Sequence, residues 1–254
     1  MAPAAVFVWL AAAGGRAYVS AQGARQGEPI LPLPEKAIDV EPAKVALGER
    51  LFADKRFSAD GSVSCQSCHL PNAGGADPRR HSVSAFGKIR PVNSPTIYNV
   101  RYNTMGLNWT GRTGDLDAQI KGSIGNADTM AHDWAKVVQV LAADPAMVAQ
   151  FRAAYGGDNP VTQENASHAI VSFEKSLVTP SRFDDWLQGK DDAITAQEKV
   201  GYDKFKAYGC VACHSGINVG GNSFMKMGLI GDYFGDREKK GRGAIVDADR
   251  AGCP

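Results

Sequence analysis

The pentapeptide Cys65-Gln-Ser-Cys68-His69 and its second copy, Cys210-Val-Ala-Cys213-His214, constrain this chain more than any other feature. Each places two thiols and an imidazole within about one turn of backbone. They use four of the five cysteines; the fifth, Cys253, is the penultimate residue. A disulfide framework is the first alternative, but a chain of 254 residues can build a core without covalent staples. A zinc site calls for a second Cys-x-x-Cys roughly 15–20 residues on, far closer than the copy found here. A thioredoxin-like redox pair belongs beside a βαβ pattern, and strand signals are few. Only five histidines occur in the chain, and two of them directly follow these pairs. That combination is read as two covalently attached c-type haems. In each, the cysteines form thioethers to the haem edge and His69 or His214 ligates the iron from one face.

The rest of the pattern is helical. Glu41-Pro42 opens a helix with proline in its first turn, and Val45, Leu47, Leu51 and Phe52 form its apolar side. Further stripes run through Trp134, Val137, Val138 and Leu141, and then through Met147, Val148 and Phe151 after Asp144-Pro145. Ala166, Ala169, Ile170, Phe173 and Leu177 recur at amphipathic-helix spacing. Thr195-Ala-Gln-Glu198 is a capping box whose helix runs to Gly209. A weak internal repeat pairs 44–75 with 199–221: a short helix, the Cys-x-x-Cys-His, then two glycines. The expected class is mainly α, with two cytochrome-like haem lobes and long loops. The lobes are expected at 35–180 and 181–254, divided near Val178-Thr-Pro-Ser181.

Residues 2–15 (APAAVFVWLAAAGG) are small and apolar, too short to span a bilayer, and Val19-Ser-Ala21 follows as a cleavage signature. We read 1–21 as a signal peptide, although its first basic residue is Arg16; an uncleaved anchor is the alternative. The expected location is the periplasm, because c-type haems are assembled outside the cytoplasm. Residues 22–34, with Pro29, Pro32 and Pro34, read as an extended lead-in rather than folded core. A net charge of +1 gives no support for a nucleic-acid partner.

Several segments in order resemble the bacterial dihaem cytochrome c peroxidase family, which includes the MauG-type enzymes. They are LGERLFADKRFSADGSVSCQSCH, GGAD, NSPTIYNVRYN, NWTGR, SFEKSLVTPSRFDDWL and GYDKFKAYGCVACHSGINVGGNSFMKMG. The resemblance implies a peroxidatic, low-potential haem on His69 and a high-potential haem on His214 that receives electrons. Hydrogen peroxide would be reduced to two waters with electrons from a small cytochrome c or cupredoxin. It also implies that Trp109 helps electrons pass between the haems, against the plainer reading of a buried indole. Asn93 matches a residue that helps hold calcium, against a turn-stabilising asparagine. A homodimer is a further implication.

The chain departs from the family at several points. The family's loop before Asn93 carries a distal histidine, and the aligned position here is Ala85. His81, four residues earlier, is the candidate substitute, with an exposed loop histidine as the alternative. Where the family places an acid–base glutamate, this chain has Thr129, which cannot act as a base near neutral pH. Asp128 beside it is the candidate replacement, or else a cap. His132 is expected near a helix start and His168 on a solvent-facing side. Lys239-Lys240 with Arg237 and Arg242 reads first as a solvated basic patch. Met225 and Met227 tempt as far ligands of the second haem, but the segment holding them matches a part of the family that bears no ligand. The tail from Asp236 starts like the family's next segment and then departs, a break that a truncation or frameshift would explain together with the stray Cys253. A MauG-like oxidase acting on a partner protein and a non-enzymatic dihaem electron carrier are the alternative functions.

Overall fold

Short caps and prolines, rather than long apolar runs, set the helix boundaries. In the computed structural model, which describes residues 25–224 and 231–232, α1 (Pro42–Phe52) starts at its proline after an extended Glu41. Asp115, Asp133 and Asp144 accept backbone N–H bonds at the starts of α2 (Leu116–Gly125), α3 (Trp134–Ala142) and α4 (Pro145–Tyr155). Thr162 caps α5 (Gln163–Ser176). Capping boxes open α6 (Arg182–Leu187), through Ser181 and Asp184, and α7 (Ala196–Ala207), through Thr195 and Glu198. Gly209, at φ +76°, turns the chain out of α7 into the second Cys-x-x-Cys-His. Among the described residues β pairing is confined to isolated bridges, so the mainly α expectation holds.

The buried side chains gather in two clusters. The larger takes Leu47, Leu51 and Phe52 of α1, Ile120 and Ile124 of α2, Val137 and Leu141 of α3, Met147 and Phe151 of α4, and Ala166, Ala169, Ile170, Val171 and Phe173 of α5. Each large aliphatic or aromatic side chain buried there stabilises the fold by about 1.5–3 kcal/mol. At its centre α1 crosses α5 at Gly48, where a β-carbon would lie 2.9 Å from Phe173 Cβ and closer still to the Ala169 carbonyl. The smaller cluster joins Trp186 and Leu187 of α6, Ile194 and Tyr202 of α7, and Ile30.

Ile30 corrects the reading of the lead-in. The segment is extended, but Ile30 and Leu33 are buried in the fold rather than lying outside it. Its backbone bonds to Gly216 on both sides, Leu31 N to Gly216 O (3.3 Å) and Gly216 N to Pro29 O (2.8 Å). Leu33 N donates to the buried Asp184 carboxylate (2.7 Å), Gln188 returns a bond to Leu33 O (2.9 Å), and Arg25 lies 4.4 Å over the Trp186 ring. Tyr202 Oη donates to Glu28 (2.9 Å), which also pairs with Lys206. The start of the described chain therefore packs onto the unit that carries the second Cys-x-x-Cys-His. The prolines supply the extended backbone, and the two aliphatic residues between them supply the burial.

Candidate haem sites

Cys65, Cys68 and His69 project from one turn of 3₁₀ helix, whose backbone closes from Cys68 N and His69 N onto Cys65 O at 3.1 and 3.0 Å. Ser64 and Ser67 cap that turn reciprocally. The four cysteines of the two pairs are unbonded. Burial, then the Glu174 charge, pushes the Cys65 thiol up to about 12, and burial likewise raises Cys68. Neutral, shielded thiols are the opposite of a low-pKa redox pair. His69 donates from Nδ1 to the Pro95 carbonyl (3.0 Å), which can only accept. That bond fixes the tautomer and leaves the Nε2 lone pair free for iron. Burial lowers the His69 pKa, favouring the same neutral form.

The second site repeats this logic. Cys213 N and His214 N close onto Cys210 O at 3.2 and 2.9 Å, and His214 Nδ1 donates to Val219 O (3.1 Å). A phenylalanine from the preceding helix packs on each imidazole, Phe52 on His69 (6.4 Å) and Phe205 on His214 (6.2 Å). The paired glycines after each motif, Gly74-Gly75 and Gly220-Gly221, all have positive φ. Their role is therefore conformational: they return the chain beside the histidine it has just passed. The repeat in the sequence is a repeat of this local device. Cys253, Met225, Met227, the basic residues 237–242 and the expected signal peptide all lie outside the described residues.

A cavity of about 490 Å³ opens beside Cys65, Cys68 and His69, a size suited to a small-molecule or cofactor site. Its wall includes Asn93, Trp109 and Thr129 of the sequence-derived candidates, and excludes His81 and Asp128. Trp109 is half-exposed rather than a core indole, and donates from Nε1 to Asn93 O (2.8 Å). Its loop reaches the second unit: Asn218 bonds Asn103 (2.6 Å), and a β-carbon on Gly111 would strike Phe224. The Asn93 amide is directed at the carbonyls of Asp77 (3.0 Å), Arg79 and Arg80, tying the loop together. Calcium there rests on the resemblance alone, and no cluster of three His, Cys, Asp or Glu is arranged for a metal among the described residues.

The acid–base candidates fare differently from their expectation. The Asp128 side chain is 69% exposed and pairs with Lys88 (3.4 Å), and its backbone carbonyl accepts from Arg90 (2.7 Å). It faces solvent because the 126–129 turn spends it on the surface while Thr129 turns inward. The Thr129 hydroxyl is held by the Ser123 and Asn126 carbonyls. Ala85 is buried, with its N–H on Thr129 O (3.0 Å). His81 keeps a buried Nδ1 with no hydrogen-bond partner. His168 is exposed at its ring edge to Tyr155 Oη (2.8 Å), and His132 precedes the Asp133 cap of α3.

Four wall residues were missed from the sequence. Arg112 and Gln119 present donors, Thr110 Oγ1 is buried without a partner, and Glu174 is a buried carboxylic acid. A helical wheel would have found Glu174: it sits four residues after Ile170, on the buried side of α5. Gln119 Nε2 donates to Ser123 Oγ (3.0 Å), so the wall's open polar groups are the Thr110 hydroxyl and the Arg112 guanidinium, which fit a large, partly anionic ring system better than an apolar ligand. With two thiols and a free imidazole nitrogen opposite, the residues fit haem.

Residues 42–192 match the family description "Di-haem cytochrome c peroxidase". This chain belongs to that family. "Cytochrome c peroxidase Ccp" of Escherichia coli K12 is 40% identical over 238 residues, covering 92% of this chain and 50% of its own length. "Cytochrome c551 peroxidase" of Nitrosomonas europaea is 39% identical over 240 residues, covering 93% of this chain and 71% of its own. A solved MauG-like protein associated with microbial copper homeostasis superposes with a TM-score of 0.67 at 27% identity. That match covers 78% of this chain and 63% of the other. The chain thus spans half the length of the first of these relatives. No helix among the described residues is long and apolar enough to cross a membrane.

Proposed function

We propose that this dihaem peroxidase-family chain reduces hydrogen peroxide to water at a haem held by Cys65, Cys68 and His69. The cavity beside His69, walled by Trp109, Arg112 and Gln119, is the observation that carries the reading. When bound, the haem supplies an iron that can accept peroxide and pass it electrons. His69, oriented by Pro95 O, would ligate the iron, and Cys65 and Cys68 would hold the ring through thioethers. Arg112 and Thr110 offer donors for its carboxylates, while Gln119 holds polar ligands within the cavity. Ala85 stands where the family carries a histidine, and His81, the imidazole that this loop does carry, lies outside the cavity wall. On that placement neither residue would close the site.

Electrons would enter at the second haem, on Cys210, Cys213 and His214, and cross by the Trp109 loop, which touches both units through Asn103–Asn218 and Gly111–Phe224. Exposed Tyr208 and Val219 flank that second site and suit docking of a small cytochrome or cupredoxin. The two buried clusters support haem units at 35–180 and 181–254, with the lead-in joined to the second. Export to the periplasm follows from the leader-like 1–21 segment and from covalent haem assembly. Half-exposed Trp109 and the MauG-like fold match favour one second reading, oxidation of a side chain on a partner protein.

The test is peroxide turnover by the haem-loaded chain with a reduced small cytochrome. His69→Ala should keep its covalent haem yet lose turnover by at least about 100-fold, given the usual scale of losing a group the reaction requires. Full turnover in that variant would refute the placement. Turnover absent from the wild type, with a partner side chain oxidised instead, would select the second reading.

A further inference from the structure

Glu174 is a carboxylic acid that the proposed reaction does not use. It lies on α5, its residue is only 5% exposed, and it forms part of the wall of the His69 cavity. Among the described residues no hydrogen bond or ion pair engages its carboxyl group. Arg90 and Arg112 share its cavity wall but form no ion pair with it, and cations on the elements packed on α5 are engaged elsewhere. Lys44 of α1 pairs with Glu41, Lys121 of α2 with Asp117, and Arg101 of the 100–102 turn with Asp39. The Tyr102 phenol of the same turn is neutral, its pKa raised by burial. On α5 itself, His168 is turned to Tyr155 and Lys175 is exposed at the surface. Glu174 helps raise the Cys65 thiol, the residue whose sulfur would bond the haem edge. His69 responds to Asp77 and not to Glu174.

A buried, unpaired carboxyl group beside a redox cofactor must follow the charge on that cofactor. We propose that Glu174 takes up one proton when the haem on His69 is reduced by one electron, and releases it on reoxidation. The balance is simple. One electron arrives from the reduced donor protein, one proton arrives from solvent, and the only bond made is O–H on Glu174. The oxidised iron carries one more positive charge, which favours the carboxylate; reduction removes that charge and favours the neutral acid. In the haem-free chain burial alone holds Glu174 up at about 8. The switch thus falls where moderate changes in pH act on it. Its effect is to keep the net charge of a low-dielectric pocket constant through the electron transfer.

The inference rests on the haem assignment at Cys65–His69. That assignment is checked separately, by retention of covalent haem on a denaturing gel in a Cys210/Cys213 double-alanine variant. A variant without haem ends the haem reading itself. With haem present, the midpoint potential of the His69 centre is titrated spectroscopically from pH 6 to 9, in wild type and in Glu174→Gln. Wild type should shift its oxidised-to-reduced ratio tenfold per pH unit over part of that range, about 59 mV for a one-electron couple. Glu174→Gln should lose that dependence, and Glu174→Asp should recover it at a displaced pH. A wild-type potential that does not vary with pH overturns the proposal, as does an unchanged slope in Glu174→Gln. Should Glu174→Gln fail to fold, the reduced-minus-oxidised infrared spectrum of wild type decides. A neutral carboxylic-acid carbonyl band appearing on reduction supports the proposal; its absence refutes it.

Discussion

Replacing Gly48 by alanine should damage both the fold and the first haem site, through a single steric fault. An added β-carbon would stand 2.6 Å from the Ala169 carbonyl carbon and 2.9 Å from Phe173 Cβ. Comfortable carbon–carbon separation is about 3.5–4.0 Å, so α1 must retreat from α5 by roughly 1 Å. Backbone cannot rotate away as a side-chain tip can. A gap of that size costs the facing atoms about a quarter to a half of their dispersion energy. The facing side chains include Leu51, Phe52, Ala166 and Ile170, all essentially buried. Strained substitutions into close-packed cores cost about 1–3 kcal/mol, and this one belongs at the upper end. Alanine's better helix propensity returns about 1 kcal/mol, leaving a net loss of about 2 kcal/mol. For a chain of this length that lowers Tm by about 4–8 °C.

Thermal and denaturant unfolding of the haem-loaded protein measure the loss. A second readout tests the geometry. Phe52 rides on α1 and packs both on Phe173 (5.2 Å) and on His69 (6.4 Å), so the retreat should perturb the absorption spectrum of the His69 haem and spare the other. Unchanged or raised stability would refute the packing argument. Lower stability with an unaltered His69 haem would show that α1 moves without carrying Phe52.

Other expectations follow from single residues. Asp128→Asn should leave peroxide turnover within about twofold of wild type, because that carboxylate faces solvent beside Lys88; a large loss in steady-state assay would return it to the mechanism. Asp184→Ala removes the acceptor for Leu33 N, Ser181 N and Ser181 Oγ, leaving buried donors unmet at about 1–3 kcal/mol. It should speed limited proteolysis within 25–33, followed by mass spectrometry. The buried Asp77 carboxyl is held down to about 2 by hydrogen bonds from Arg79. Because its folded value lies below the ordinary 3.8, it stabilises the fold above about pH 4. That contribution fades as pH falls towards about 2. Asp77→Asn should flatten this limb of an acid-unfolding curve.

Much of the haem chemistry was legible because it is local. Cys-x-x-Cys-His folds into one turn wherever it stands, so the thiols and imidazole meet without help from distant chain. Capping boxes and proline starts are local too, and Thr195–Glu198 and Pro42 lie where the pattern placed them. Asp128 and Thr129 show where local reading ends. Neighbours in sequence, they face opposite ways because Thr129 is anchored by the carbonyls of Ser123 and Asn126. Glu174 is a different case: its place four residues after Ile170 puts it on the buried side of α5 by local pattern, and only the tertiary structure shows that it lines the cavity beside His69.

What the sequence alone determined, then, is the pair of Cys-x-x-Cys-His turns, the helical class and the family, since each depends on short-range bonding or on residue order. Tertiary structure alone decided which side chains share the cavity with His69, that the lead-in around Ile30 belongs to the second unit, and that Gly48 is the point of closest helix approach. Those outcomes depend on distances between segments far apart in the chain. They are set by burial of apolar surface and steric fit, which no local pattern of residues encodes.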